Sequence, residues 1–410
     1  MPHARANDVT RTGRRSLLRL GALGATGLVA GCSSPQRSPA VPHEREAEAT
    51  VLGIPNERFF FGSPTRGMDA LEREFEAAAA RRVRHLGLRR FQDMARYDML
   101  GVSGGGENGA FGAGLLCGWT EQGTRPTFEL VTGVSTGALT APFAFLGSDW
   151  DAPLKSVYTD ITPAQVLESR GILGAVFNDA MADNAPLFET ISRHLDERMR
   201  AAIAQAYQEG RLLLVASTNL DAQMPVIWNI GAIAASGHPG ALDLVRRLLL
   251  ASAAIPGAFP PVMIDVTVDG QPHQEMHVDG GAYAQVFLYP RQLGEARRQR
   301  AARGIRTVPA SAYVIRNGRL DPEWASVDRR TLPIAGRAIS TMIAASGLND
   351  VVRIWNNTQR DGVDYNLAFI GRDFTGTYTE PFEQAYMRQL FDYGFQRARR
   401  GYDWTKQPPI

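Results

Sequence analysis

The sequence predicts an α/β domain: a layered fold in which a mostly parallel central sheet is flanked by helices. Short apolar stretches of strand-like composition alternate with longer stretches of helical periodicity, and the predicted strands cover 97–102, 128–132, 211–216, 312–316 and 365–370. Such alternation is typical of βα units, whose parallel strands are covered by helices. One hairpin interrupts the pattern, because the apolar stretches 263–268 and 275–278 flank the turn signal Asp269-Gly270.

The composition is that of a globular protein with a substantial core. Apolar residues make up 44% of the 410 residues, which is enough for a chain of this length to bury a hydrophobic core. The formal net charge of +2 becomes −2 when residues 1–31, which carry five arginines and one aspartate, are set aside. Nucleic-acid binding requires a basic patch, so this charge balance excludes a nucleic-acid partner.

The first 31 residues have the features of an export signal. Basic residues, among them Arg14 and Arg15, precede an apolar stretch that ends at Val29-Ala30-Gly31-Cys32. Small residues before a cysteine form a lipobox-like cleavage site, and the apolar stretch is shorter than the roughly 20 residues that a membrane-spanning helix needs. We therefore predict that residues 1–31 are a lipoprotein signal peptide. Acylated Cys32 would then anchor the chain in the bacterial cell envelope, at the outer membrane or facing the periplasm.

Two alternatives accompany this interpretation. The pair Arg14-Arg15, followed by Ser16 and Leu17, resembles a twin-arginine signal, which exports folded chains, whereas basic residues also precede ordinary signal peptides. A buried N-terminal helix that ends in an ordinary cysteine is the structural alternative to a signal peptide. Acylation of Cys32 would leave Cys117 as the other cysteine, so the fold would have no intramolecular disulfide.

Three segments follow the predicted signal peptide. Residues 32–56 are rich in Ser, Pro, Ala and Glu and lack apolar periodicity, which predicts a flexible, lipid-anchored tether. Residues 57–96 are predicted to be a helical N-terminal extension, because apolar residues such as Leu71 and Phe75 share one helical face. Such a face predicts a helix that packs on the main domain, and a helix on a membrane surface is the alternative. The main domain is predicted to cover residues 97–400.

The segment Gly133-Val134-Ser135-Thr136-Gly137 contains the strongest candidate for a nucleophile. It lies between an apolar strand at 128–131 and a helix-compatible stretch at 138–145. A serine in this strand–turn–helix position has a strained backbone that flanking glycines relieve, and its hydroxyl faces a cleft at a helix N-terminus. Ser103, in Gly101-Val102-Ser103-Gly104-Gly105, is the alternative nucleophile, although glycines follow it where a helix should begin.

The glycine run after Ser103 predicts an oxyanion hole. Gly104, Gly105 and Gly106 allow successive backbone N–H groups to converge on one negative oxygen. Stabilisation of an oxyanion is what acyl transfer to a serine nucleophile requires. The two glycine-rich segments therefore predict the two halves of one acyl-transfer site.

A serine nucleophile needs a base, and the sequence leaves two candidates. His277 lies two residues before Asp279, so that on a strand both side chains point to one face, but a packing role is the more ordinary one for such a histidine. Its position also departs from the Ser, Asp, His order of α/β-hydrolases. Asp279, which begins Asp279-Gly280-Gly281, is the other candidate, although Asp-Gly is also a common turn signal.

Four motifs in order make the chain resemble the bacterial patatin-like phospholipases, and the likeness runs from about Tyr97 to the segment 386–393. The motifs are Gly104-Gly105-Gly106-Glu107-Asn108-Gly109, Gly133-Val134-Ser135-Thr136-Gly137, Ala251-Ser252-Ala253-Ala254-Ile255-Pro256 with Phe259-Pro260-Pro261, and Asp279-Gly280-Gly281. The resemblance implies a patatin-like fold, Ser135 as nucleophile, Asp279 as its sole base partner, and the backbone of 104–106 as oxyanion hole. Two positions depart from the family: Asn108 stands where many members carry Arg or Lys, and Ser103 where Asp is common. A cation that could hold a lipid phosphate is thus absent there.

The resemblance implies a serine acyl hydrolase of membrane lipids or fatty-acyl esters, a lipid esterase or phospholipase of lipid degradation that passes through an acyl-enzyme. Such a Ser-Asp dyad uses no metal ion or other cofactor. We expect Asp279 to lie within hydrogen-bond distance of Ser135 in an apolar pocket, because a carboxylate with an ordinary pKa of about 4 is a weak base for a hydroxyl. An acyltransferase with the same dyad and a non-catalytic lipid-binding lipoprotein remain alternatives, and protein partners are open.

Overall fold

The computed structural model describes residues 37–60, 67–169 and 182–409. Its strands are β1 Arg58–Phe60, β2 Tyr97–Val102, β3 Leu130–Val134, β4 Glu168–Ser169, β5 Ala182–Asp183, β6 Leu212–Asn219, β7 Met224–Asn229, β8 Val262–Val268, β9 Gln271–Asp279, β10 Ala310–Arg316 and β11 Asp364–Phe369. Its α-helices are α1 Met68–His85, α2 Gly109–Gln122, α3 Thr136–Leu146, α4 Asp151–Thr159, α5 Ala185–His194, α6 Glu197–Gln208, α7 Ile230–Ala235, α8 Ala241–Ala253, α9 Arg291–Ala302, α10 Thr331–Asp361 and α11 Gln384–Arg399.

Within the described residues, nine strands form one sheet whose centre is parallel. Strands β6, β3, β2, β10 and β11 lie side by side in this order and run parallel, as expected where helices connect successive strands. Strands β7 and β1 extend the sheet antiparallel beyond β6. The hairpin β8–β9 pairs with the last residues of β6, Ser217 to Asn219. The predicted fold class, a mostly parallel sheet interrupted by one hairpin, is confirmed.

Helices cover both faces of the sheet because successive strand residues point to opposite sides. In β6, Leu212 and Leu214 belong to a core that α1 and α10 cover, whereas Leu213 and Val215 belong to the larger core on the other face. Helices α2, α3, α6, α8 and α11 contribute to this larger core. The strands are therefore apolar on both faces, which explains why they are continuous apolar stretches in the sequence.

The segment 37–56 corrects the prediction of a flexible tether over 32–56. Arg37 forms a two-pronged ion pair with Asp221, in which both N···O distances are 2.8 Å, and Val51 is buried in the larger core. The apolar residues of this segment follow neither a helical nor a strand period, which is why the sequence predicted a coil. The described part of the segment is thus bound along the main domain.

The described residues of 57–96 pack on the main domain, as predicted for this extension. Strand β1 joins the sheet through β7, and α1 covers one of its faces. The Arg58 guanidinium donates to Glu275 Oε2 of β9 at 2.6 Å, and both side chains are buried. The N-terminal region is therefore tied to the strand that carries Asp279.

The remaining predictions for the N-terminus fall on residues that the structure does not describe. The signal peptide and Cys32 lie outside the described ranges. Within those ranges, none of the helices is both long and apolar enough to cross a membrane.

Candidate active site

Ser135 lies at the turn between β3 and α3 in a backbone conformation that non-glycine residues rarely adopt. Its φ is 56° and its ψ is −128°. The flanking glycines are required by close packing: a Cβ on Gly133 would lie 2.5 Å from the carbonyl oxygen of Gly137, and one on Gly137 would lie 2.2 Å from that of Val102. The strand–turn–helix arrangement that the sequence predicts around Ser135 is confirmed.

The backbone of Ser135 is held by Ser252, a residue to which the sequence analysis assigned no role. The N–H of Ser135 donates to Ser252 Oγ at 3.1 Å, and this hydroxyl donates to the carbonyl oxygen of Ala216 at 2.6 Å. Ser252 is fully buried on α8, so water does not compete for these hydrogen bonds. Its position in the Ala251–Pro256 motif was the signal in the sequence that pointed to it.

Asp279 is the last residue of β9, and the pairing of β9 with β6 brings it to the carboxyl end of the sheet. Its N–H donates to the carbonyl oxygen of Ala254 at 2.8 Å. One carboxylate oxygen, Oδ1, accepts from the N–H of Gly281 at 2.6 Å. The other, Oδ2, is buried and accepts no hydrogen bond of standard geometry from the described residues. This oxygen therefore has unused capacity to accept a proton.

Burial raises the pKa of Asp279 to about 7. The Ser135 hydroxyl and the Gly281 N–H act in the opposite direction, because hydrogen bonds to the charged form lower a carboxyl pKa. The Ser135 and Asp279 side chains thus lie close enough to interact, although the hydroxyl does not make a hydrogen bond of standard geometry to Oδ2. A carboxylate with a pKa near 7 is a much stronger base than an ordinary aspartate.

The loop after β2 carries two unused amides beside Ser135. A Cβ on Gly104 would lie 3.1 Å from Ser135 Cβ, so the loop and the nucleophile turn are in contact. The N–H of Gly104 is already used, because it donates to the carbonyl oxygen of Gln285 at 3.0 Å. The N–H groups of Gly105 and Gly106 donate to no atom of the described residues. Of the three residues predicted to form an oxyanion hole, Gly105 and Gly106 thus have an N–H group free to donate to an oxyanion.

Ser103 anchors this loop, and its contacts argue against the alternative that it is the nucleophile. Its hydroxyl donates to the carbonyl oxygen of Gly104 at 2.7 Å and accepts from the N–H of Asn317 at 2.8 Å, and its side chain is fully buried. Arg316 Nη1 also donates to the Gly104 carbonyl, at 3.0 Å. A Cβ on Gly105 would lie 2.0 Å from the carbonyl oxygen of Asn317, so this part of the loop admits only glycine.

A narrow apolar cavity of about 60 Å³ begins between the glycine loop and α3. Gly106 and Thr136 line its end nearest to Ser135. The rest of its wall is almost wholly aliphatic and aromatic and includes Leu139, Phe143, Val157, Leu187, Ile191 and Met387. His194 also lines the cavity, and burial lowers its pKa, which favours the neutral ring. Glu107 also lines the cavity, beside Gly106. The cavity therefore presents a mostly apolar surface next to Ser135, with one carboxylate residue at the glycine loop.

The segment that carries these motifs matches a known protein family. Residues 100–290 match the family model described as Patatin-like phospholipase. The chain contains a patatin-like phospholipase domain. The matched range includes the glycine loop, Ser135 and Asp279. The match supports lipid acyl hydrolase chemistry in general for this domain.

Two solved structures illustrate what this chain is similar to. VipD from Legionella pneumophila has a TM-score of 0.35 at 12% sequence identity, and the likeness covers 75% of this chain and 67% of VipD. Human GIVD cytosolic phospholipase A2 has a TM-score of 0.29 at 11% identity, with 80% of this chain and 61% of the human chain covered. This chain thus spans less than two thirds of the human protein. No curated protein sequence matches this chain.

In the patatin-like domain, His277 is a packing residue, so the structure does not support it as the alternative base. Its Nδ1 lies 2.8 Å from Ser217 Oγ, and its Nε2 lies 3.0 Å from Glu275 Oε2. The ring is fully buried, and it has no hydrogen bond to Ser135. The proximity of His277 to Asp279 in the sequence reflects a shared strand and not a shared site.

Three residues that shape the patatin-like site escaped the sequence analysis. Gln285 fixes the Gly104 amide, and Arg316 and Asn317 hold the loop from the end of β10. Arg316 and Asn317 lie beyond the matched range 100–290, so the site needs residues outside it. No motif marks these residues, and Arg316 and Asn317 meet the loop only because β10 pairs with β2.

Other features of the described ranges lie apart from this site. A cavity of about 540 Å³ opens between α1 and α9, next to Tyr97 and Ala310, at the amino ends of β2 and β10. The site lies at the opposite, carboxyl ends of the parallel strands. Within the described ranges, no three or more His, Cys, Asp or Glu side chains are grouped to hold a metal ion.

Proposed function

We propose that the patatin-like domain hydrolyses carboxylic ester bonds of membrane lipids, with Ser135 as nucleophile and Asp279 as its base. One observation carries this proposal: a buried aspartate with a pKa raised to about 7 lies beside a serine in the strained turn conformation. Burial makes the carboxylate basic enough to accept a hydroxyl proton near neutral pH. The strained turn presents the hydroxyl at the N-terminus of α3.

In the first half of the reaction, Ser135 Oγ forms a bond to the ester carbonyl carbon and its proton passes to Asp279. The carbonyl oxygen becomes an oxyanion, which accepts hydrogen bonds from the N–H groups of Gly105 and Gly106. The partial positive charge at the N-terminus of α3 adds to this stabilisation. The tetrahedral intermediate then loses the alcohol, which leaves with the proton from Asp279, and the acyl-enzyme remains.

In the second half, water replaces the alcohol. Asp279 takes a proton from the water as its oxygen attacks the acyl carbon, and the same two amides stabilise the second oxyanion. The bond to Ser135 Oγ breaks, the proton returns to the serine, and a carboxylic acid is released. No oxidant, reductant or further co-reactant is needed for this balance.

The apolar cavity favours a fatty-acyl substrate. It begins at Gly106 and Thr136, where the carbonyl of a bound ester would lie, and beyond Glu107 at this end most of its wall is aliphatic or aromatic. Burying acyl methylene groups contributes about 0.8 kcal/mol each, so an apolar wall next to the nucleophile selects acyl chains over polar groups. The missing cation at Asn108, whose side chain accepts from Tyr386 Oη at 2.6 Å, leaves the head group unspecified.

We also propose that the chain is exported and anchored through acylated Cys32. The packed segment begins at Arg37, and five residues span at most about 18 Å. The anchor would therefore hold the domain against its own membrane, closer than a long tether would. Metabolic labelling with a palmitate analogue tests this: we expect the wild-type chain to be labelled and Cys32→Ser to be unlabelled and released from membranes. Equal labelling of both would contradict the anchor.

The dyad is tested by labelling the full chain with a fluorophosphonate probe and by hydrolysis of a short-chain nitrophenyl ester. We expect Ser135→Ala to lose both signals and Ser103→Ala, which removes the alternative nucleophile, to keep the label. Asp279→Asn should reduce turnover by at least about 10³-fold, because the serine then has no base. Analysis of products with and without lysolipid should show free fatty acid in both cases.

Three results would overturn the proposal. Labelling that survives in Ser135→Ala would place the nucleophile elsewhere. Unchanged turnover in Asp279→Asn would remove the aspartate from the mechanism. An acylated lysolipid as the main product would make the protein an acyltransferase with the same residues.

A further inference from the structure

Helix α10 has two halves with opposite surroundings. From Gly347 to Asp361 it has the buried positions Gly347, Asp350, Val351, Ile354, Thr358 and Asp361, whose spacing is that of a helix face packed on the sheet. Between Thr331 and Ser346, no residue whose exposure is described is buried. Sixteen residues of regular helix, about 24 Å long, therefore extend into solvent.

This extension leaves the domain at the level of the active site. A Cβ on Gly347 would lie 2.8 Å from Arg316 Cζ, and Arg316 holds the glycine loop. Asp350 accepts from the N–H of Gln285 at 2.6 Å, and Gln285 fixes the Gly104 amide. The other end of α10 leads into β11 at the amino edge of the sheet. The extension thus points away from the sheet on the side where Ser135 lies.

The extension is amphipathic. At about 100° per residue, one half of the helix is apolar apart from Thr331 and Ser346 and contains Ile334, Ala335, Ala338, Ile339, Met342, Ile343 and Ala345. The other half contains Gly336, Arg337, Ser340, Thr341 and Ala344. Met342 is 70% exposed, Ile334 52% and Ile339 49%, values that are unusual for large apolar side chains on one helix. The apolar half therefore lacks a partner within the described chain.

The residues before the extension add an aromatic anchor and positive charge. Trp324 is 90% exposed. Arg329 and Arg330 precede α10 and follow Asp328, and Arg337 lies on the polar half of the helix, so three arginines and one aspartate give the segment 324–346 a net charge of +2. An apolar helix face combined with arginines and an exposed tryptophan is the composition that binds to the interface of a membrane with anionic lipids.

We propose that residues 324–346, the projecting segment, dock on the surface of a bilayer that contains anionic lipids and so bring Ser135 to its substrate. The apolar half of the helix lies at the boundary between head groups and acyl chains, Trp324 lies at head-group depth, and the arginines contact lipid phosphates. The inference rests on the proposed function, because it describes how an ester within a membrane reaches the site.

The test uses the full chain carrying Cys32→Ser, so that no acyl anchor contributes, and vesicles of phosphatidylcholine with and without phosphatidylglycerol. We expect wild type to sediment with the anionic vesicles and to bind neutral vesicles more weakly. Ile339→Glu and Met342→Glu should each weaken binding by about tenfold or more, because each replaces a buried apolar contact with a charge at the interface. Trp324→Phe should lose the blue shift of tryptophan emission that vesicles cause in wild type.

Ile305→Glu is the matched control, since Ile305 is 45% exposed after α9, towards the amino ends of the strands. It should bind vesicles as wild type does. All variants should hydrolyse the soluble nitrophenyl ester at the wild-type rate, which shows that the fold and the dyad are intact. A wild type that binds vesicles but does not cleave this ester would refute the proposed hydrolase and leave the docking surface supported.

Two outcomes would overturn the docking proposal. One is unchanged vesicle binding by both Ile339→Glu and Met342→Glu. The other is a wild-type dimer, seen by light scattering, that these variants convert to a monomer while vesicle binding stays unchanged. In that case a second copy of the chain, and not a membrane, covers the apolar half.

Discussion

Asp279 is a residue whose environment opposes its charge. Burial favours the neutral carboxyl, and its pKa of about 7 means that near neutral pH a large share of folded molecules hold a proton that the unfolded chain has released. Action as a base requires the charged form in the same place. The residue is therefore suited to chemistry at the expense of stability, as is common at active sites.

Asp279→Asn should stabilise the fold above neutral pH. Because the folded pKa is raised, the contribution of the aspartate is fully present below its unfolded pKa of about 4 and is lost as the pH rises through about 7. Removing the charge should raise the free energy of unfolding by about 2 to 4 kcal/mol at pH 8, and much less near pH 4. Urea unfolding at the two pH values measures this difference. Asp328→Asn, at an exposed position, should change little at either pH, and an equal effect of Asp279→Asn at both would show that its pKa is not raised.

Two turns, each shaped by glycines, build the site at the level of elements. The turn from β3 to α3 is held by contacts of Gly133 and Gly137, and the loop from β2 to α2 is held against Asn317 at the end of β10. Each turn follows a parallel strand, and neighbouring parallel strands end at the same edge of the sheet. Ser135 and the free amides of Gly105 and Gly106 therefore lie side by side, although they are about 30 residues apart in the sequence.

Gly105→Ala and Gly106→Ala should differ in effect, although both glycines supply an amide. A Cβ on Gly105 would meet the Asn317 carbonyl oxygen at 2.0 Å, so the loop must move, whereas one on Gly106 meets nothing within 4 Å and only strains a φ of 56°. We expect kcat/KM for the nitrophenyl ester to fall by about 10² to 10³ in the first variant and by about tenfold or less in the second. Thermal unfolding checks that both are folded. The reverse order would contradict an oxyanion hole in this loop.

At the scale of the whole molecule, the N-terminal region is linked to the β8–β9 hairpin, which carries Asp279, by a buried ion pair. Arg58 of β1 reaches across to Glu275 of β9, where both side chains are buried. Burial alone would raise the pKa of Glu275, but Arg58 and His277 lower it to about 2. Glu275 therefore stays ionised over the physiological range and needs its cationic partner.

Arg58→Met should destabilise the protein by about 3 to 5 kcal/mol, because it leaves the Glu275 carboxylate buried without its partner. Arg37→Ala is the matched control: it also breaks an arginine–carboxylate pair of the N-terminal region, but one that is partly exposed, and should cost about 1 kcal/mol or less. Urea unfolding of both variants at pH 7 measures the difference. Similar small losses in both would show that the buried pair does not hold the region in place.

The sequence by itself determined the alternation of strands and helices and the strand–turn–helix position of Ser135, the proposed nucleophile. Strands buried on both faces remain continuous apolar stretches, so β2, β10 and β11 were predictable to within two residues at each end. The turn at Ser135 was predictable because its constraints come largely from neighbours in the chain: a strand before it, a helix after it and glycines on both sides. Constraints of this kind act between residues that are close together in the sequence, so the sequence alone reveals them.

Spacing alone left His277 and Asp279 open as bases, and only the tertiary structure decided which of them lies beside Ser135, in favour of the residue that the family resemblance implied. His277 and Asp279 lie two residues apart on one strand, yet the His277 side chain bonds to Ser217 and Glu275, whereas the Asp279 side chain lies beside Ser135. In the sequence nothing distinguishes Gly104 from Gly105 and Gly106, but in the structure its N–H is used by the Gln285 carbonyl oxygen. The predicted tether became packed chain, and half of α10 projects unpaired. Each of these depends on contacts between residues far apart in sequence and on burial, and burial is a property of the folded chain that no local pattern contains.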